Sequence, residues 1–133
     1  MTTIQSRCDV RGGVHSEITM TDGRPPWDDG KWQGYAWRVT LRYQGRQMTV
    51  PFFTGELAGE PTTADVLHCL LSDATSVLTA RDWVDWAQDM GYESLSDADK
   101  AREIYEACQS IGDRLETLLG DDFETFAYEL ERM

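Results

Sequence analysis

Between Asp97 and Leu119 the chain spaces its apolar residues as a long helix does. Ala101, Ile104, Cys108, Ile111, Leu115 and Leu118 follow at steps of 3, 4, 3, 4 and 3, which sets them along one helical face. A second row, Asp99, Glu103, Glu106 and Asp113, runs at steps of 4, 3 and 7 along another face, with Ser110 in the gap. A helix of this kind gains its stability from burying the apolar stripe, so the remaining chain must supply a surface for it. The acid row is left for water or for a partner.

That surface is expected in residues 34–54. From Tyr35 the sequence alternates, with Tyr35, Trp37, Val39, Leu41 and Tyr43 on one side and Ala36, Arg38, Thr40 and Arg42 on the other. Period two over nine residues is the pattern of a half-buried strand. Gln44-Gly45 supplies a turn, and Met48, Val50 and Phe52 alternate on the return. Pro51 has no amide hydrogen to give a ladder, so its position should face a sheet edge. Such a hairpin or three-stranded antiparallel sheet is too small to stand alone and needs helices on its apolar face.

Upstream, residues 1–33 are punctuated by Gly12-Gly13, Asp22-Gly23, Pro25-Pro26 and Asp28-Asp29-Gly30, and read as loop apart from a short strand over Val14–Thr21. Trp27 and Trp32 are expected to fold back onto the sheet. Downstream, Pro61-Thr62-Thr63 opens a helix that buries Val66, Leu67, Leu70, Leu71, Ala74 and Val77. Thr79, three residues before Asp82, resembles a capping box for a short helix. That helix buries Trp83, Trp86, Ala87 and Met90 and carries Asp82, Asp85 and Asp89 outward, and Gly91 ends it. Ser96 or Asp97 caps the long helix, Gly120 closes it, and Asp121 with Glu124 begins a last helix around Phe123, Phe126, Ala127 and Leu130. The expected product is one α+β domain over 1–133. It comprises a loop-rich segment over 1–33, a β-hairpin over 34–54, and an acidic helical part over 61–133 forming a bundle of about four helices.

Charge divides the chain the same way. Of a formal net charge of −12, residues 1–55 hold seven Lys and Arg against five Asp and Glu, and residues 56–133 hold five against nineteen. The second half should repel nucleic acid and anionic membranes and attract a basic surface. An apolar content of 41% with five Trp and five Tyr sets the chain apart from disordered acidic tails. Cys8, Cys69 and Cys108 are far apart and odd in number, with no zinc-like spacing. With no apolar run of membrane-spanning length and no signal-like N-terminus, a reduced cytoplasmic setting is expected.

No residue pattern specifies catalysis. Asp65, His68 and Ser72 share the residue types of a hydrolase triad, but one continuous helix supplies neither a strained nucleophile nor oxyanion donors. Asp28-Asp29-Gly30 and Asp121-Asp122 lack the alternating ligands of a calcium loop and suit a turn and a cap. Neither metal nor cofactor is expected. The remaining candidates are the acid rows, Asp82, Asp85 and Asp89 with Asp99, Glu103, Glu106 and Asp113. From Asp99 to Glu106 is about 10 Å at 1.5 Å per residue, a spacing of the same order as successive phosphates.

One stretch resembles a known group. Val39-Thr40-Leu41, Gly45-Arg46-Gln47-Met48-Thr49-Val50-Pro51-Phe52, Gly55, Pro61, Asp65-Val66-Leu67 and Asp73-Ala74 look like small phage- and prophage-encoded proteins. Asp82-Trp83, Gly91-Tyr92, Ser96-Asp97, Lys100-Ala101, Tyr105 and Cys108 fit the same pattern. The likeness covers roughly residues 35–120 and transfers no functional residue, because the group has no assigned activity. It implies a non-enzymatic inhibitor of host defence, of anti-CRISPR type. Its acid rows would imitate DNA toward a CRISPR effector or restriction component with a basic surface. The alternative is a phage adaptor or DNA-metabolism accessory that binds through the hairpin, where Arg38, Arg42 and Arg46 would act.

Overall fold

A computed structural model of the chain describes residues 3–8, 13–28, 30, 33–55, 62–78, 80–89 and 98–131. Its sheet is antiparallel, with strands in sequence order: β1 (Thr3–Cys8), β2 (Val14–Thr21), β3 (Tyr35–Tyr43) and β4 (Arg46–Thr54). The hairpin forms where the alternation places it. Gln44 and Gly45 both have positive φ, 49° and 78°, the two-residue geometry whose twist matches that of the flanking strands. Tyr35 pairs with Thr54, Val39 with Val50 and Tyr43 with Arg46.

The N-terminal segment departs from expectation. Thr3–Cys8, read as loop, is a strand that pairs with all but the last two residues of β2, from Thr3 opposite Thr19 to Cys8 opposite Val14. Its own residues show no apolar alternation, so its assignment comes from the open edge of β2.

One sheet face is apolar and covered. Val14, Ile18, Trp37, Val39, Leu41, Tyr43, Met48, Val50 and Phe52 are buried there, each large side chain contributing about 1.5–3 kcal/mol of hydrophobic stabilisation. Trp37 Nε1 donates to Thr54 Oγ1 at 2.9 Å, which satisfies the indole inside the core. Gly34, just before β3, lies against β4, and a Cβ added there would sit 2.1 Å from the Thr54 carbonyl oxygen. Trp27 packs as expected, edge-on to Phe53 with ring centroids 5.7 Å apart, while Trp32 lies outside the described residues.

The covering elements are α1 (Thr63–Ser76), α3 (Ala98–Leu119) and α4 (Phe123–Glu131). α1 starts on a reciprocal capping box, Thr62 Oγ1 accepting from the Asp65 amide and the Asp65 carboxylate accepting from the Thr62 amide. Those bonds hold the Asp65 carboxyl below its ordinary pKa, the Thr62 amide first. Leu67, Leu70, Ile111, Leu115, Leu118, Leu119 and Phe126 join the sheet in the main core. α2 (Trp83–Asp89) is only seven residues long. It packs beside α3, where Trp86 and Ala87 meet Val77, Ala101 and Cys108 in a second cluster. Among the described residues the helical part is therefore three covering helices and a short fourth, an α+β arrangement and not an even four-helix bundle.

Gly120, at φ +54°, ends α3 and opens a 3-10 turn, Gly120–Asp122, that runs directly into α4. The expected caps at Thr79, Ser96 and Asp97, the stop at Gly91 and buried Met90 lie outside the described residues. So does the side chain of Leu130.

Candidate partner-binding surface

The seven acidic residues singled out by spacing divide into two groups. Asp82 is the N-cap of α2: its Oδ1 accepts from the Asp85 amide at 2.9 Å, and Asp85 Oδ2 accepts from the Arg81 amide at 3.0 Å. Arg81 also pairs with Asp85 across 3.7 Å. Two carboxylates of the α2 row are thus engaged in starting the helix. Asp82 thereby caps the first turn of α2. On α3, Glu106 pairs with Arg102 at 3.3 Å, an exposed i,i+4 pair worth a few tenths of a kcal/mol.

Asp89, Asp99, Glu103 and Asp113 form the other group. All four are exposed, and no side-chain bond ties them to another described residue. α2 and α3 bring these carboxylates onto neighbouring elements, because Trp86 meets Tyr105 edge-to-face at 5.7 Å. Arg102 interrupts the α3 row and Arg81 pairs within the α2 row, so the acidic surface carries cations of its own.

The three hairpin arginines do not act as one set. Arg38 and Arg42 are exposed on the sheet face away from the helices, where Arg42 Nε donates to Gln47 Oε1 at 2.9 Å. Arg46 turns toward the helices. Its Nη1 donates to the Thr117 carbonyl at 3.4 Å, a cation at the C-terminal end of α3, where the helix dipole favours it. Its guanidinium also lies 5.9 Å from the Tyr43 ring centroid.

Comparison with protein-family models, with curated proteins and with solved structures finds no match.

Among the described residues, concavities lie on either side of β4. The larger, of about 760 Å³, is an open trough whose lining includes Arg46, Gln47, Thr49, Glu106, Asp113 and Arg114. Arg114 Nη1 reaches across to the Thr49 carbonyl at 2.8 Å. Hydrogen-bonded pairs alternate along a hairpin from the one that closes its turn, here Tyr43–Arg46. Gln47, Thr49, Pro51 and Phe53 therefore turn their backbone groups toward the free edge, where Pro51 was expected. Arg114 occupies one of those carbonyls, and Pro51 removes one of those donors.

The smaller concavity, of about 140 Å³, is apolar except for one group. Trp27, Pro51 and Phe53 line one side, Ile104, Cys108 and Ile111 another, and Asp73 of α1 completes it. Burial in these surroundings raises the Asp73 carboxyl to about 6. Burial also pushes the Cys108 thiol up to about 12, with the Asp73 charge adding to the shift. Asp73 was not among the expected site residues, although a signal existed. Val66, Leu70, Asp73 and Val77 run at steps of 4, 3 and 4, so the acid stands in an apolar seam.

A buried carboxylate elsewhere, Asp122, accepts a hydrogen bond from the Tyr43 hydroxyl. Asp28 bonds to Arg24 and accepts from the Gly30 amide. Both acid pairs weighed as metal ligands thus contribute a member to local structure. Among the described residues no group of three or more His, Cys, Asp or Glu is placed to hold a metal. No described helix is long and apolar enough to cross a membrane.

Proposed function

We propose that this protein is a non-enzymatic binding protein, a phage- or prophage-encoded inhibitor of host defence of anti-CRISPR type. It acts in the host cytoplasm by presenting carboxylates where its target expects DNA phosphates. The target is a host protein with a basic nucleic-acid-binding surface, a CRISPR effector or a restriction component. The observation that carries the reading is the set Asp89, Asp99, Glu103 and Asp113, exposed on two packed helices with no side-chain bond to another described residue. Carboxylates already engaged in caps would have to give up a bond to meet a partner, and these four do not. The excess of acid in residues 56–133 would steer a basic partner toward this side.

The test compares the wild type with the variant Asp99→Lys/Glu103→Lys as bait in a host lysate, at low and high salt. Nucleic-acid-handling proteins held by the wild type at low salt, released at high salt and lost from the variant are the expected result. Retention of the same proteins by the variant overturns it.

The second reading is an adaptor or DNA-metabolism accessory that binds through the sheet, and the exposure of Arg38 and Arg42 on its face away from the described helices favours it. Under that reading Arg38→Glu/Arg42→Glu abolishes capture and the α3 variant does not.

A further inference from the structure

Asp73 sits half-buried among apolar groups, and no side chain among the described residues bonds to its carboxylate. An ionised carboxylate so placed lowers the stability of its own fold, since desolvation is not offset by a counter-charge. Perturbed acids of this kind, in a cavity, are a mark of binding and catalytic sites. Among the described residues the lining gives no second carboxylate, so a divalent cation, which needs several oxygen ligands, is a poor fit. A neutral apolar guest would leave the carboxylate unpaired. Trp27 and Phe53 stand nearly perpendicular, at 80°, and aromatic rings tolerate and attract cations. A cavity of about 140 Å³ is near the size that accommodates benzene, about six non-hydrogen atoms.

We propose that this cavity between α1, α3 and the Pro51–Phe53 end of β4 binds an alkylammonium group, with Asp73 as its counter-ion and Trp27 and Phe53 as its aromatic walls. The guest is a short aliphatic chain ending in a positive nitrogen. The site is independent of the carboxylates on the outer faces of α2 and α3.

Titration of the 15N-labelled protein at pH 8 with n-butylammonium chloride, and separately with 1-butanol, tests this. Saturable shifts of the Trp27 indole signal are expected, with the amine binding at least about tenfold more tightly than the alcohol, the share of one charge-assisted contact. Asp73→Asn removes that preference. Ala107→Met, which fills the cavity and leaves Asp73 in place, removes binding of both. Nα-acetyl-lysine methylamide distinguishes the source: its binding assigns the site to a lysine side chain of another protein, and its exclusion assigns it to a free amine. Equal binding of amine and alcohol, an unchanged amine affinity in Asp73→Asn, or no saturable shift with either probe overturns the proposal.

Discussion

The Tyr43 hydroxyl donates to the Asp122 carboxylate across a sequence separation of 79 residues. The bond ties the last residue of β3 to the turn between α3 and α4, and both side chains are buried. A charge-assisted bond of this kind contributes about 1.5–3 kcal/mol, and removing its donor leaves the acceptor desolvated. Tyr43→Phe should therefore lower unfolding free energy by about that amount in urea titrations. Asp121→Asn, one residue away and exposed, should leave stability within about 0.5 kcal/mol.

Asp73 should make the fold more stable in mild acid than at neutral pH. Its folded-state pKa of about 6 stands above the ordinary 3.8, so between those values the native state holds the proton more often. As pH rises through that window the native state gives up stability, and above about 6 the penalty is complete. The titratable groups around it, Cys69 on its own helix and Cys108 on α3, have raised pKa values and stay uncharged there. The opposing group is Asp65, whose depressed pKa stabilises the fold above its ordinary value and loses that contribution in stronger acid. Asp73→Asn should thus stabilise the protein at pH 8 by about 1–3 kcal/mol, with a far smaller gain at pH 4. Thermal melts at the two pH values read the difference.

Gly34→Ala should be costly for a steric reason alone. The added methyl would meet the Thr54 carbonyl oxygen at 2.1 Å, and this backbone atom cannot move without disturbing the β3–β4 ladder. A loss of about 1–3 kcal/mol is expected, measured as a lower urea midpoint with an unchanged slope. Gly55→Ala, with open space around its added methyl, is the control.

Arg114 and Pro51 should together keep β4 from pairing with other chains. Arg114 holds the Thr49 carbonyl at 2.8 Å, and Pro51 offers the edge no donor. Unprotected strand edges are templates for self-association. Arg114→Ala/Pro51→Val should shift the protein toward larger species in size-exclusion chromatography with light scattering, while either single change has a smaller effect.

The helices and the hairpin could be read from sequence where one face of an element carries all its apolar residues. The stripe from Ala101 to Leu118 buries as its spacing requires, except that Ile104 is half-buried beside the Asp73 cavity. The alternation from Tyr35 to Tyr43 likewise fixes the covered sheet face. Thr3–Cys8 escaped because a strand laid on an existing edge needs no apolar pattern of its own. The acid rows were visible as spacing but not as use. Glu106 follows Arg102 by four residues, and Asp85 follows Asp82 by three, so the sequence already held the local partners that engage them. Tyr43 and Asp122 meet only through tertiary packing, which no local window contains.

Because its strands are consecutive, the sheet is complete as a chain of hairpins when Thr54 leaves the ribosome. Its covering residues from Ile111 to Phe126 arrive on the order of several seconds later at common elongation rates. During that interval Trp37, Val39, Leu41, Val50 and Phe52 have only α1 for native cover. A nascent chain halted before α3 should therefore engage holdase chaperones, while the full-length chain should release from them as α3 closes over the sheet.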